Sequence, residues 1–333
     1  MTSPNDDARA ASSGTRPASG AIPGISNLPT PARLTVGLVS AGRVGTALGE
    51  ALERAGHVVG AVVARSPQSR RRVAQRLPES AVLDLADVVA RSELLIISVP
   101  DVVLPSVIDA VAATGALRPR TLVAHTAGAH GVGILSPLVE LGAIGLAIHP
   151  AMTFVGTVDD TARLAQACFG ITAAGEVGDA IASALVLEMG GEPVRVAEAD
   201  RTLYHAALAH GANHLVALVD DAISALNRAI AGSGGAGQST ATVDGNPVRL
   251  AERVLAPLLT ASLQNVLDLG AGALTGPVAR GDADAVAAHL AALRTLPDAD
   301  TDDSIAEAYR ILARRAAHQS GAPPAVLDVL EPR

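Results

Sequence analysis

At 333 residues, 49% of them apolar, the chain is long enough for two domains with separate cores. Its 33 acidic and 25 basic residues leave a net charge of −8, which offers no basic face to nucleic acid. Every basic residue is an arginine, so chemistry that needs a lysine as acid, base or Schiff-base former is excluded.

Residues 1–32 are rich in Ser, Pro, Gly and Ala and lack the apolar stretch of an export signal. They read as a disordered tail on a cytoplasmic protein. Leu34 to Ser40 is short, apolar and β-branched and runs into a glycine turn, the pattern of a buried parallel strand. A helix over Arg43 to Ala55 follows, then a strand over His57 to Ala64 and an arginine-rich helix over Pro67 to Leu77. Further strands are predicted over Leu94 to Val99, Thr121 to His125 and Gly145 to His149, each pair separated by a helix. This alternation with short connections predicts an α/β fold with a doubly wound parallel sheet. Two weaker strands, around Phe169 to Thr172 and Pro193 to Val196, flank a helix near Val177 to Gly190 and extend the far edge. Cys168, the one cysteine, lies in an apolar run that reads as buried strand, and it suits a reducing compartment.

From Asp200 the pattern is helical: Asp200 to Ile230, Pro247 to Leu269, Asp282 to Leu293 and Asp302 to Ala317. A Gly/Ser/Thr linker over Ala231 to Asn246 and a turn over residues 271–281 interrupt it. The division is therefore a dinucleotide-binding domain over 33–198 and an all-helical C-terminal domain over 199–333. No run of about 18 apolar residues is free of charged or polar interruption, so no membrane span is expected.

The first strand-to-helix turn reads Ser40, Ala41, Gly42, Arg43, Val44, Gly45. A Gly-x-Gly-x-x-Gly turn at this place is the fingerprint of a Rossmann dinucleotide site. Gly42 lets the backbone approach the pyrophosphate, Gly45 lets helix and strand pack, and the helix N-terminus faces the phosphates. Ser40 stands in the place of the first glycine. At the end of the second strand, where an NAD binder carries an Asp or Glu, stand Arg65 and Ser66, with Arg70 to Arg72 beyond. NADP is the expected cofactor, with NAD as the other guest. Val99, Pro100 and Asp101 end a strand at the same edge and are expected beside the ribose and nicotinamide; Pro100 and Asp101 also read as a helix start, which is compatible with that contact.

His125 and His149 also end predicted strands, where ligands of open α/β sheets bind. Either is placed to move a proton near neutral pH, or to anchor a loop through a backbone carbonyl. On the long helix, His205, Ala209 and Asn213 share one face, next to Tyr204. His210 and His214 are also i, i+4, but without a third ligand no metal site is expected.

With these residues in place, the chain resembles proteins that join a Rossmann-like domain to the domain of unknown function DUF2520. Those are relatives of ketopantoate reductase, pyrroline-carboxylate reductase and 6-phosphogluconate dehydrogenase. The matching stretches are Gly42 to Gly45, His125 to Gly128, His149 to Phe154, Leu203 to Ala207, Asn213 to Leu218, and Ala273-Leu274-Thr275-Gly276-Pro277-Val278-Ala279-Arg280-Gly281-Asp282. The resemblance implies a helical second domain like that of 6-phosphogluconate dehydrogenase, an active site in the cleft between domains, and a homodimer formed through the helices. It supplies no substrate. Several relatives carry a catalytic lysine four residues before an Asn on this helix; here Ala209 precedes Asn213, so a histidine or Tyr204 must carry the proton. Tyr204, Thr275 and Arg280 are the expected substrate-binding residues, with Arg280 suited to a carboxylate or phosphate. The expected activity is NADP-dependent reduction or oxidation of a small anionic carbonyl or imine compound, with His149, His125 or His205 as proton donor and Asn213 orienting the substrate. The alternative is a dinucleotide-binding sensor or scaffold without catalysis.

Overall fold

The computed structural model describes residues 33–231, 241–243, 246–248, 250–297, 301 and 303–331. The tail 1–32 and most of the linker lie outside the described residues. The chain divides into two compact units, Met1–Tyr204 and His205–Arg333.

In the first unit the elements run β1 (Thr35–Val39), α1 (Arg43–Arg54), β2 (Val58–Val63), α2 (Pro67–Arg76), β3 (Ala81–Val82), α3 (Leu85–Arg91), β4 (Leu94–Ile97), α4 (Leu104–Ala113) and β5 (Leu122–His125). Then follow α5 (Ser136–Val139), β6 (Ile144–Pro150), α6 (Asp159–Leu164), β7 (Cys168–Ala173), α7 (Gly175–Glu188) and β8 (Glu192–Arg195). The strands form one sheet in the order β3-β2-β1-β4-β5-β6-β7-β8. The period-2 alternation of β1 explains why helices cover both faces. Val36 and Leu38 face Leu48 and Leu52 of α1 and Leu185 of α7. Val39, with Leu95 and Ile97 of β4, faces Val88 of α3 and Ile108 of α4. Strand order reverses between β1 and β4, which opens a crevice at their carboxyl ends.

The far edge differs from a purely parallel sheet. β7 pairs with β6 antiparallel, Pro150 opposite Phe169, and β8 runs parallel to β7. Residues 151–167 therefore leave and rejoin the sheet at one edge, the same edge at which β1, β4 and β5 end. Buried Asp160 secures this connection by accepting the Gly156 N–H at 2.7 Å and pairing with Arg163. Thr161 hydroxyl donates to Glu50 of α1 at 2.7 Å, and Arg76 of α2 pairs with the same carboxylate.

Cys168 is on the expected strand, as the first residue of β7, but is exposed rather than buried.

The second unit contains most of the helix α8 (Arg201–Ala231), a short hairpin β9 (Ala241–Val243) and β10 (Asn246–Val248), and α9 (Leu250–Leu269). It ends with α10 (Gly276–Arg280), α11 (Ala283–Leu293), α12 (Ile305–Ser320) and α13 (Pro324–Val329). Its core joins Val286 and Leu290 of α11 to Ala313 and Ala317 of α12 and to Val326 and Leu330 by α13. The expected turn over 271–281 contains the short helix α10, closed by Gly281 at φ +80°. Leu250–Arg280 is, by length and composition alone, apolar enough to cross a membrane, with mean hydropathy 1.3 over its best window and none of that window buried.

Candidate functional site

The glycine turn is built from strained and close-packed backbone. Ser40 has φ +85°, a conformation that serine adopts at a cost of about 1–3 kcal/mol and glycine adopts freely. Ser40 thus keeps the backbone shape of the glycine it replaces. A Cβ on Gly45 would sit 2.6 Å from the Ser40 carbonyl oxygen, so close packing of α1 on β1 requires glycine there. Gly42 is different: a Cβ on it would come no nearer than 3.7 Å to any protein atom. The protein does not need glycine at 42 for its own packing, and the space over the turn is what a pyrophosphate needs. Among the described residues no side chain caps α1 at Gly42, so its first-turn N–H groups are open to an anion or to water.

A cavity of about 560 Å³ opens over this turn. Ser40, Ala41 and Gly42 form one wall, Arg65, Ser66, Ser69 and Arg72 a second, and Val99, Val103 and Val107 a third. Among the described residues, no carboxylate lines it. Arg72 donates to the Ala41 carbonyl at 2.8 Å, which ties α2 to the glycine turn. Ser66 caps α2 by accepting the Ser69 N–H at 3.0 Å. Arg65 is exposed on the cavity wall, and Arg70 turns back to the Ala64 carbonyl at 3.1 Å. Pro100 precedes and Asp101 opens a short 3-10 turn, Asp101–Val103, as expected of a helix start. Arg43 reaches away from the turn to the Phe154 carbonyl at 3.4 Å, and Val44 packs toward the core.

His125 is fully buried, with Nε2 on the Gly131 carbonyl at 2.8 Å and Nδ1 accepting the Ala127 N–H at 3.2 Å. Burial holds its pKa down at about 4, against the pull of the Gly131 carbonyl, so the ring is neutral at physiological pH. Both nitrogens are committed to the backbone. His125 is a loop anchor, and the proton-donor reading is corrected on that ground.

His149 is half-buried near the end of β6, and its Nδ1 lies 3.0 Å from the Tyr204 hydroxyl, the rings meeting edge to face. The phenol rests on Gly170 of β7, directly opposite His149 in the sheet. A Cβ at Gly170 would lie 2.5 Å from the phenolic oxygen, so only glycine gives the ring its seat. Arg201 packs its guanidinium 5.7 Å from the centroid of the same ring. Burial raises the Tyr204 pKa; the Arg201 charge and a backbone hydrogen bond with Gly170 oppose it.

In the second unit, His205 is half-buried and Asn213 exposed on α8, while Thr275 and Arg280 are exposed at the two ends of α10. His210 and His214 approach through their Nδ1 atoms at 2.8 Å, and no cluster of three or more metal-ligand residues occurs among the described residues. Sequence reasoning does not single out Arg72 among Arg70 to Arg72, and it misses Arg201 and Gly170. The i, i+3 spacing of Arg201 and Tyr204 was the available signal for Arg201.

Comparison with known families matches residues 21–150 to the Rossmann-like domain and residues 167–316 to the domain of unknown function DUF2520. No curated protein matches the chain. Among solved structures, a candidate NADP oxidoreductase from Bacteroides fragilis aligns with TM-score 0.65 and 22% identity over 86% of this chain and 98% of that one. The reductive aminase of Aspergillus terreus, in complex with NADPH and ethyl-5-oxohexanoate, aligns at 0.58 and 17% over 90% and 100%. An imine reductase variant of Myxococcus stipitatus, in complex with NAD+, aligns at 0.52 and 16% over 90% and 99%. These likenesses establish the shared fold.

Proposed function

Since the chain belongs to the family that joins a Rossmann-like domain to DUF2520, we propose that it is an NADP-dependent oxidoreductase acting on a small, anionic carbonyl or imine compound. The observation that carries this reading is the cavity over the glycine turn, walled by Arg65 and Arg72 with no carboxylate. A ribose 2′-hydroxyl would find no acceptor carboxylate there, whereas a 2′-phosphate would find two guanidinium groups and the serines at the start of α2. The Gly42 turn and the first turn of α1 would hold the pyrophosphate. The bound dinucleotide supplies or accepts the hydride. Tyr204, backed by His149, gives the proton to the carbonyl oxygen or imine nitrogen.

The test is calorimetric titration with NADPH and NADH in parallel, on the parent and on Arg65→Ala. NADPH is expected to bind more tightly, and the variant to lose about ten- to a hundredfold for NADPH, the worth of one charge-assisted contact, with NADH unaffected. Equal binding of the two nucleotides in both proteins would overturn the NADP assignment.

The same reading includes a homodimer formed through the helical unit. Val254, Leu258, Leu263, Val266 and Leu267 are exposed on α9, as are Val216 and Leu218 on α8. Glu252, Arg253, Gln264, Asn265 and Asp268 interrupt the α9 stretch, which a protein partner tolerates and a bilayer core does not. A second copy is therefore the occupant we assign. Sedimentation should give twice the 33.4 kDa chain mass, falling to one chain in Val254→Glu/Leu258→Glu. A parent protein that sediments as a single chain at micromolar concentration would remove the dimer.

A further inference from the structure

Arg201 is 1% exposed, yet among the described residues no carboxylate pairs with it. Its partners are neutral. Nε donates to Thr172 hydroxyl at 2.7 Å, and Nη2 donates to the carbonyls of Ala147 and Gly170, each at 3.1 Å. Nη1 is buried with no protein acceptor among the described residues. A buried cation is costly, and carbonyl dipoles offset only part of that cost. A clamp between β6, β7 and the start of α8 could be made from neutral donors. What neutral donors cannot supply is a fixed positive charge 5.7 Å from the Tyr204 ring centroid.

We propose that Arg201 is a positioning residue for the proton-transfer step: it seats Tyr204 on Gly170 and stabilises the phenolate left when Tyr204 gives up its proton. The inference rests on the reading of Tyr204 as the proton donor. In that step the phenolic O–H breaks, a new O–H or N–H forms on the substrate, and the hydride from the reduced dinucleotide completes the reduction. The electron pair of the broken bond stays on the Tyr204 oxygen, beside the guanidinium. His149, 3.0 Å away, then returns the proton from solvent. Among the described residues, the titratable and charged groups set against the phenol include Arg201 on its own helix, His149 from β6 and Cys168 from β7. Glu192 of β8 lies 3.9 Å from the Cys168 sulfur, and Glu198 acts on the guanidinium.

The chain has two tyrosines and no tryptophan, so Tyr309→Phe leaves Tyr204 as the only phenol. Incorporating 3-fluorotyrosine in that background gives one fluorine NMR signal, and ring fluorination brings the ionisation into the pH range the fold withstands. Full-length protein is titrated as the parent, as Arg201→Met and as Arg201→Lys. The expected result is that Arg201→Met moves the ionisation upward by about one pH unit or more, a tenfold change, since burial remains and the charge is gone. Arg201→Lys, which keeps the charge and loses the fork of hydrogen bonds, is expected to stay near the parent. A purely structural clamp gives the opposite pattern: Tyr204 loosens in both variants and titrates downward, toward an exposed phenol. That pattern, or no movement in Arg201→Met, overturns the proposal. Should Arg201→Met fail to fold, the lysine variant decides alone, by staying with the parent or falling toward the exposed value. NADPH binding measured on the same samples reports on the cofactor reading separately, because no Arg201 atom lines that cavity.

Discussion

Gly42→Val keeps the fold and loses dinucleotide binding by about 3 kcal/mol, a hundredfold or more in affinity. The separation of the two effects comes from the surroundings of the residue. At Gly42 the backbone is extended, φ −70° and ψ −174°, which valine adopts readily, and the added Cβ meets only ordinary contacts at 3.7 and 3.9 Å. The branches then fill the space over the turn and keep a pyrophosphate from the first-turn N–H groups. Gly45→Ala is the contrasting case. Its Cβ meets the Ser40 carbonyl at 2.6 Å, a backbone atom already strained, so α1 must move off β1. A stability loss of about 1–3 kcal/mol is expected, visible in a thermal melt before any ligand is added. If Gly42→Val binds NADPH like the parent, the phosphates do not lie over this turn and the site has been misplaced.

Tyr204→Phe is expected to lower kcat by about a hundred- to ten-thousandfold, the usual worth of a positioned general acid, with NADPH affinity unchanged. The ring, its seat on Gly170 and its contact with Arg201 survive the substitution; only the hydroxyl bonded to His149 is lost. His149→Ala should cost less, because water can reach the half-buried hydroxyl and replace the relay. The measurement is NADPH oxidation against a panel of small keto acids and cyclic imines, with binding measured alongside. Undiminished turnover in Tyr204→Phe would take the residue out of the chemistry. Binding without turnover in the parent, across the panel, would favour a dinucleotide sensor.

The alternation of β-branched runs with helical spacing made the sheet of the first unit legible, because burial on both faces leaves few other ways to read Val36 to Val39 or Leu94 to Ile97. Gly42 and Gly45 were legible as a pair, and their different duties with them: one leaves room, the other removes a clash. The direction of β7 could not be read, since a connection as long as residues 151–167 can return a strand either way. α3, α6 and α10 have seven residues or fewer, too few turns to show a helical period. His125 and His149 look alike in sequence, each closing an apolar strand. What divides them is the environment, two backbone partners in a buried pocket for one and a phenol for the other. Arg201 escaped notice because a lone arginine at a helix start normally reaches solvent, and its burial depends on β6 and β7 closing around it.

The segment between β6 and β7 has a bearing on how relatives of this protein diversify. Because it leaves and rejoins the sheet at one edge, with Ala151 donating to the Cys168 carbonyl at 2.9 Å across its base, its length is uncoupled from the threading of the strands. Its length can therefore vary without changing the direction of β7 or the pairing of His149 with Gly170.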